Sequence, residues 1–156
     1  MRFLIVISVF LSLTKIPSFG ELPAEQITAL KKSCGYLYTE KSSGTAFVIS
    51  EDMLATCAHV VPPSGKVDVA FVDEKGNWKT HPASLISKNE ETDVALLRIE
   101  GLALPALPRA SKTASETAPI VALGYPFGQM LAIEKDGFPD VSLSMGRITS
   151  IRKTDG

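Results

Sequence analysis

From residue 34 onward, apolar positions recur every second residue in short runs, and polar or glycine-containing clusters interrupt them. Val67 to Val72 shows the pattern plainly, with Val67, Val69 and Phe71 on one side and Asp68 and Ala70 on the other. A period of two sends alternate side chains to opposite faces of an extended chain, so this run predicts a strand with one buried face. The same reading predicts strands at Gly35 to Thr39, Thr45 to Ile49, Met53 to Thr56, Trp78 to His81, Ala83 to Ser87 and Val94 to Ile99. Lys41-Ser42-Ser43-Gly44, Ser50-Glu51-Asp52 and Asp73-Glu74-Lys75-Gly76-Asn77 carry the residue types of turns between them.

Gly101 to Thr117 breaks the pattern with Pro105, Pro108 and a polar tract, and reads as a linker. Beyond it, Pro119 to Leu123, Leu131 to Lys135 and Val141 to Arg152 begin a second set of strands, with Asp136-Gly137 as a turn. Glu21 to Lys32 reads as a short helix or an arm, its apolar residues few and imperfectly spaced. No amphipathic helix is predicted after residue 33. So many short strands point to an all-β barrel or sandwich; about six in the first set suffice to close a small barrel, and about three in the second make half of one. The expected organisation is residues 1–20 as a leader, 21–33 as an N-terminal arm, 34–113 as a first barrel and 114–156 as the start of a second, incomplete one.

The leader has the make-up of a signal peptide. Arg2 is followed by a run, Phe3 to Leu13, that is apolar apart from Ser8 and Ser12. Lys15 and Pro17 end it, and Ser18-Phe19-Gly20 offers small residues where a signal peptidase reads. The run is far shorter than the ~20 residues of a spanning helix, so cleavage is expected rather than stable membrane insertion. The protein is therefore expected to be secreted or periplasmic. A formal net charge of −1 leaves no basic field for nucleic acid, and 45% hydrophobic with 21% charged residues excludes disorder.

Export implies an oxidising compartment, in which Cys34 and Cys57, the two cysteines of the chain, can pair. Such a bridge would close a loop of roughly twenty residues and stabilise by about 3 kcal/mol in the chain-entropy model. The alternative is two free, buried thiols, and spacing does not choose between them.

His59 and His81 are the only histidines. His59 lies in the otherwise apolar Leu54-Ala55-Thr56-Cys57-Ala58-His59-Val60-Val61, where an imidazole needs a hydrogen-bond partner. It is either a core histidine bonded to backbone or a general base held by a carboxylate. The carboxylate in view is Asp93, at the mouth of the strand Val94 to Ile99; taken alone it is equally a solvated strand-start acid. A zinc-type site from Cys34, Cys57, His59 and His81 is disfavoured, because Cys57-x-His59 is not a usual ligand spacing and no Cys-x-x-Cys occurs. His81 precedes Pro82 without a motif and reads as a surface strand residue. Trp78 reads as core or cleft wall, and Tyr125 and Phe127 as packing residues.

Four segments in order carry more than any one of them: Gly44-Thr45-Ala46-Phe47-Val48-Ile49, Leu54 to Val61, Asp93-Val94-Ala95-Leu96-Leu97-Arg98-Ile99, and Val121-Ala122-Leu123-Gly124-Tyr125-Pro126-Phe127-Gly128. Together they resemble the trypsin-like serine proteases, most closely the HtrA/Deg branch: a small-residue strand, the histidine loop, the aspartate strand and the Gly-Tyr-Pro turn into the second barrel. Val141 to Ile148 is similar to the strand that comes next in that family. The resemblance implies a trypsin-like double β-barrel with its first barrel complete and its second truncated. It implies His59 as general base and Asp93 as the group that fixes its tautomer. It also implies polypeptide substrates, an acyl-enzyme mechanism, no metal or organic cofactor, and homo-oligomers in full-length relatives.

The family's Gly-x-Ser-Gly-Gly nucleophile loop does not occur in these 156 residues. Ser142, Ser144 and Ser150 stand in strand context and are not assigned that role. The 156-residue chain alone is therefore expected to lack peptidase activity, whether as part of a longer enzyme or as a truncated product. The competing reading is a non-catalytic pseudoprotease or polypeptide-binding module of the same fold.

Overall fold

The computed structural model describes residues 23–109, 113–132 and 137–152. The expected signal peptide lies outside them. The fold starts with helix α1 (Ala24–Lys32), with Glu25 in its first turn and Lys31 and Lys32 in its last, each complementing the helix dipole. No helix among the described residues is long and apolar enough to cross a membrane.

Six strands come after it: β1 (Cys34–Tyr38), β2 (Ser43–Ser50), β3 (Met53–Thr56), β4 (Lys66–Val72), β5 (Trp78–Asn89) and β6 (Val94–Arg98). They form a closed barrel in the order β1-β2-β3-β6-β5-β4, every pairing antiparallel. Closure removes the open edges on which strands of other chains could add. The inward positions set by the period-two pattern fill it: Leu37, Val48, Leu54, Val69 and Leu97 are fully buried and belong to one continuous core. Burying side chains of this size contributes about 1.5–3 kcal/mol each, which offsets the entropy of ordering the strands.

β5 corrects one sequence expectation. The two short strands predicted on either side of Pro82 are one long strand. Its first half, Trp78 to Ser84, pairs with β4, and its second, Ser84 to Asn89, pairs with β6 with a register shift between Leu85 and Ser87. Pro82 lies in the half laddered on one side only, where a missing N–H costs little. The turn into β5 is held by Asp73, whose Oδ1 accepts from the N–H of Lys75 and of Asn77, both at 2.8 Å, while Gly76 takes the positive φ of 83°.

The segment read as a linker has no regular structure at 101–109, yet it is docked on the barrel. Leu102 is buried, Leu104 packs on the core, and the Leu107 N–H donates to the Val48 carbonyl at 2.8 Å. Beyond it β7 (Pro119–Gly124) and β8 (Ser142–Arg147) pair antiparallel as a two-stranded sheet. This is the all-β architecture expected, a closed barrel with part of a second after it. The strand expected from Leu131 to Lys135 is not formed at its start, since Gly128–Leu131 is a 3-10 turn; residues 133–136 lie outside the described ones.

The sheet is tied to the barrel at Thr45. The Tyr125 N–H donates to Thr45 Oγ1 at 2.8 Å, and a side chain at Gly124 would place its Cβ 2.6 Å from the same oxygen, so glycine permits this approach. Tyr125 is buried. Its ring meets Tyr36 edge-on at 5.4 Å, and Phe138 contacts Trp78, Tyr38 and Tyr36 at ring distances of 4.8, 5.5 and 5.9 Å. Trp78 thus belongs to an aromatic cluster joining the barrel to the segments that flank β7 and β8. Phe127 does not pack as expected; it is exposed.

Candidate active site

β3 ends at Thr56, and the chain passes through extended Cys57 into a 3-10 turn, Ala58–Val60. The turn's apolar residues, Ala58 and Val60, are buried, and this rotates His59 outward. Three polar contacts pin the loop. Thr56 Oγ1 donates to the Thr45 carbonyl at 2.8 Å, Ser42 Oγ to the Val60 carbonyl at 2.9 Å, and Lys88 Nζ to the Val61 carbonyl at 3.2 Å. Lys88 also pairs with Glu90 at 2.8 Å.

Asp93 sits just before β6, which neighbours β3 in the barrel, so the closed sheet itself brings the two segments together across a sequence separation of 34 residues. Its φ of 53° is one that few residues other than glycine, asparagine and aspartate adopt. That conformation aims both carboxylate oxygens at His59. Oδ1 accepts from the His59 backbone N–H at 2.9 Å, and Oδ2 lies 2.7 Å from His59 Nδ1. The Asp93 carbonyl also accepts from the Ala58 N–H at 3.1 Å. In the neutral imidazole, Nδ1–H then donates to the carboxylate and Nε2 keeps its lone pair. The His59 side chain is 68% exposed, which leaves that nitrogen open to an incoming group.

The donation from the His59 backbone, then that from its ring, holds the Asp93 carboxyl below the usual carboxylate range, against the opposing effect of burial; the imidazole's charge and the Cys57 thiol act in the same lowering direction. Burial, then the Asp93 charge and the hydrogen bond to it, pushes the Cys57 thiol up. His59 and Asp93 are therefore brought together, with Cys57 beside them. Cys34 is buried at the end of α1, its Sγ 3.6 Å from the Leu30 carbonyl, and both cysteines are free thiols. Of the two sequence readings of the cysteines, the structure holds the unbridged one, with Cys57 exposed rather than buried. His81 lies on β5, half-buried with its ring edge-on to Phe71 at 6.2 Å, and neither it nor Cys34 joins the cluster of Cys57, His59 and Asp93.

Sequence reasoning does not find the supporting contacts of Ser42, Thr56 and Lys88. Their signal is conformational, and hydroxyls and lysines are too common on strands to stand out. Cys57 reads from sequence as a disulfide partner or a free buried thiol, and its two-residue spacing from His59 is the available sign that it shares the loop.

Comparison with known proteins bears on the family and the fold. The profile of the family described as "Trypsin-like peptidase domain" matches residues 44–156. The chain is 41% identical over 85 residues to the serine protease Rv3671c of Mycobacterium tuberculosis, which covers 54% of this chain and 20% of that protein. It is 29% identical over 138 residues to a probable periplasmic serine endoprotease, DegP-like, of Halomonas elongata, covering 87% of this chain and 26% of that protein. The crystal structure of the Rv3671c protease in its inactive form superposes with a TM-score of 0.67 at 31% identity, covering 83% of this chain and 58% of that one. The chain thus spans about a fifth of the length of the first curated relatives it matches. With the barrel closed as described and the family profile running over nearly three-quarters of its length, the chain belongs to the trypsin-like peptidase domain family, with a fold of the HtrA type.

Proposed function

We propose that this chain supplies the general base and the orienting carboxylate of an exported HtrA-type serine endopeptidase. The observation that carries the reading is the 2.7 Å contact between His59 Nδ1 and Asp93 Oδ2 under an otherwise exposed imidazole. With Nδ1–H committed to the carboxylate, Nε2 takes the proton of a serine hydroxyl as its oxygen attacks the carbonyl carbon of a peptide bond. Asp93 stays ionised and stabilises the imidazolium. As the C–N bond breaks, the same proton passes to the leaving amine, and an acyl-enzyme remains. Water then attacks the ester, giving its proton to Nε2, and the serine oxygen recovers it.

No serine of these 156 residues stands in a Gly-x-Ser-Gly-Gly context. The proposal therefore places the nucleophile and its oxyanion donors on further residues of the native protein. Export rests on the make-up of residues 1–20 and on the periplasmic naming of DegP-like relatives. Substrates are polypeptides, and assembly into homo-oligomers belongs to the same family expectation.

The test is hydrolysis of unfolded casein by the protein purified from its own cells, with a fluorophosphonate probe as the label for an activated serine. His59→Ala is expected to lower turnover by on the order of 10⁵–10⁶ and to abolish labelling. The 156-residue chain alone is expected to take no label. A native protein that neither hydrolyses casein nor labels would be a binding module, and the peptidase reading would fall.

A further inference from the structure

Cys57 Sγ, a ring nitrogen of His59 and a carboxylate oxygen of Asp93 all lie within 4.8 Å of one another. Among the described residues this is the one place where three side chains of metal-ligating type converge. The Cys57 thiol is exposed rather than core packing, and it is already turned to the Asp93 carboxylate by a hydrogen bond. We propose that Cys57, His59 and Asp93 form an inhibitory site for a thiophilic divalent cation of the zinc class, which binds in place of the proton shared by His59 and Asp93.

The donor set selects the ion. A thiolate and an imidazole favour zinc-like metals over magnesium or calcium, which take oxygen ligands. One sulfur, one nitrogen and one oxygen fill three tetrahedral positions and leave the fourth to water. Ligand atoms on one tetrahedral zinc sit about 3.3–3.8 Å apart, given metal–ligand lengths of about 2.0–2.3 Å. Closing the set from 4.8 Å takes shifts of about 1 Å, within the reach of exposed side-chain rotations. The frame stays fixed meanwhile: the Asp93 carbonyl holds the Ala58 N–H, and Oδ1 holds the His59 N–H, so the second carboxylate oxygen and the ring do the moving.

Binding replaces the Cys57 S–H proton and the Nδ1–H proton, both released to solvent, with bonds to the metal. No electron transfer is involved. The loaded site removes the hydrogen bond that orients His59, and reloading the protons on chelation restores it. The inhibitory consequence rests on the peptidase reading; the binding does not.

Two arms keep these separable. In the first, Co(II) is added to the purified chain as a spectroscopic stand-in, and Zn(II) competes it off. A thiolate-to-cobalt charge-transfer band is expected, lost in Cys57→Ala and kept in Cys34→Ser. His59→Ala and Asp93→Asn are each expected to weaken the apparent affinity by about 10-fold or more, as loss of one of three protein ligands should. Absence of the band, its survival in Cys57→Ala, or its indifference to both His59→Ala and Asp93→Asn overturns the site. In the second arm, the native protein is assayed on casein with Zn(II) and then with chelator. Reversible inhibition that Cys57→Ala relieves supports the consequence. Inhibition unaltered by that substitution, or none despite a positive first arm, overturns the inhibitory role. A native protein without any casein hydrolysis fails the peptidase reading and leaves the cobalt result to decide the binding.

Discussion

Asp93 engages His59 through both carboxylate oxygens, one on the backbone N–H at 2.9 Å and the other on ring Nδ1 at 2.7 Å. The two bonds do different things. The first fixes where the histidine loop lies against β6, and the second fixes which ring nitrogen carries the proton.

Asp93→Asn separates them. Asparagine tolerates the φ of 53° and its oxygen still accepts from the backbone N–H. Its NH₂, turned toward Nδ1, demands the opposite tautomer, so Nε2 carries the proton and cannot accept another. Casein turnover of the native protein is expected to fall by about 10⁴-fold while far-UV circular dichroism is unchanged. Full turnover in the folded variant would show that Asp93 does not orient the ring.

The depressed carboxyl of Asp93 makes stability fall on acidification. A folded-state value below the unfolded one contributes stability that is complete above the ordinary range of about 4. That contribution is lost as pH falls through the lower folded value. The melting temperature of the wild type is therefore expected to drop more than that of Asp93→Asn between neutral pH and pH ~3. Parallel curves for the two proteins would contradict it.

Thr45→Val keeps the shape of the side chain and removes the acceptor of the Tyr125 N–H. An amide left unpaired beside a buried tyrosine costs about 1–3 kcal/mol, read as a lower urea midpoint. Thr45→Ser keeps the oxygen and is expected to stay within about 1 kcal/mol of wild type. Equal midpoints for Val and wild type would mean that water takes over the bond.

Gly35→Ala drives a methyl group into the barrel, where its Cβ would stand 2.5 Å from Val69 Cγ1 and 2.7 Å from the Phe71 ring. Both neighbours are buried on β4, the strand that pairs with β1 to close the barrel. Overpacking of this kind is expected to cost about 1–3 kcal/mol in equilibrium unfolding, and an unchanged stability would show that β1 can shift outward at no cost.

The barrel strands and the two polar residues of the site are legible because each rests on local chemistry. Val67, Val69 and Phe71 share one side of a period-two run, His59 interrupts an apolar run, and Asp93 stands at the mouth of another. The illegible parts depend on where distant segments meet. Thr45 reads as one more β-branched strand residue until Tyr125, 80 positions later, is laid beside it. Pro82 reads as a strand breaker until the one-sided ladder around it is known. Leu131 reads as the start of a strand, but Gly128, with a φ of 49°, turns the chain into a tight coil first. Phe127 reads as a packing residue because it is large and apolar, yet it is left exposed just before that turn.

The aromatic cluster at the seam contains the chain's single tryptophan. Intrinsic fluorescence is therefore a built-in gauge of one specific event, the seating of Phe138 and Tyr125 on β1 and β5. Its emission wavelength follows the docking of the second half while far-UV dichroism follows the barrel. If the fluorescence changes at lower urea than the dichroism, the second half comes away while the barrel is still folded.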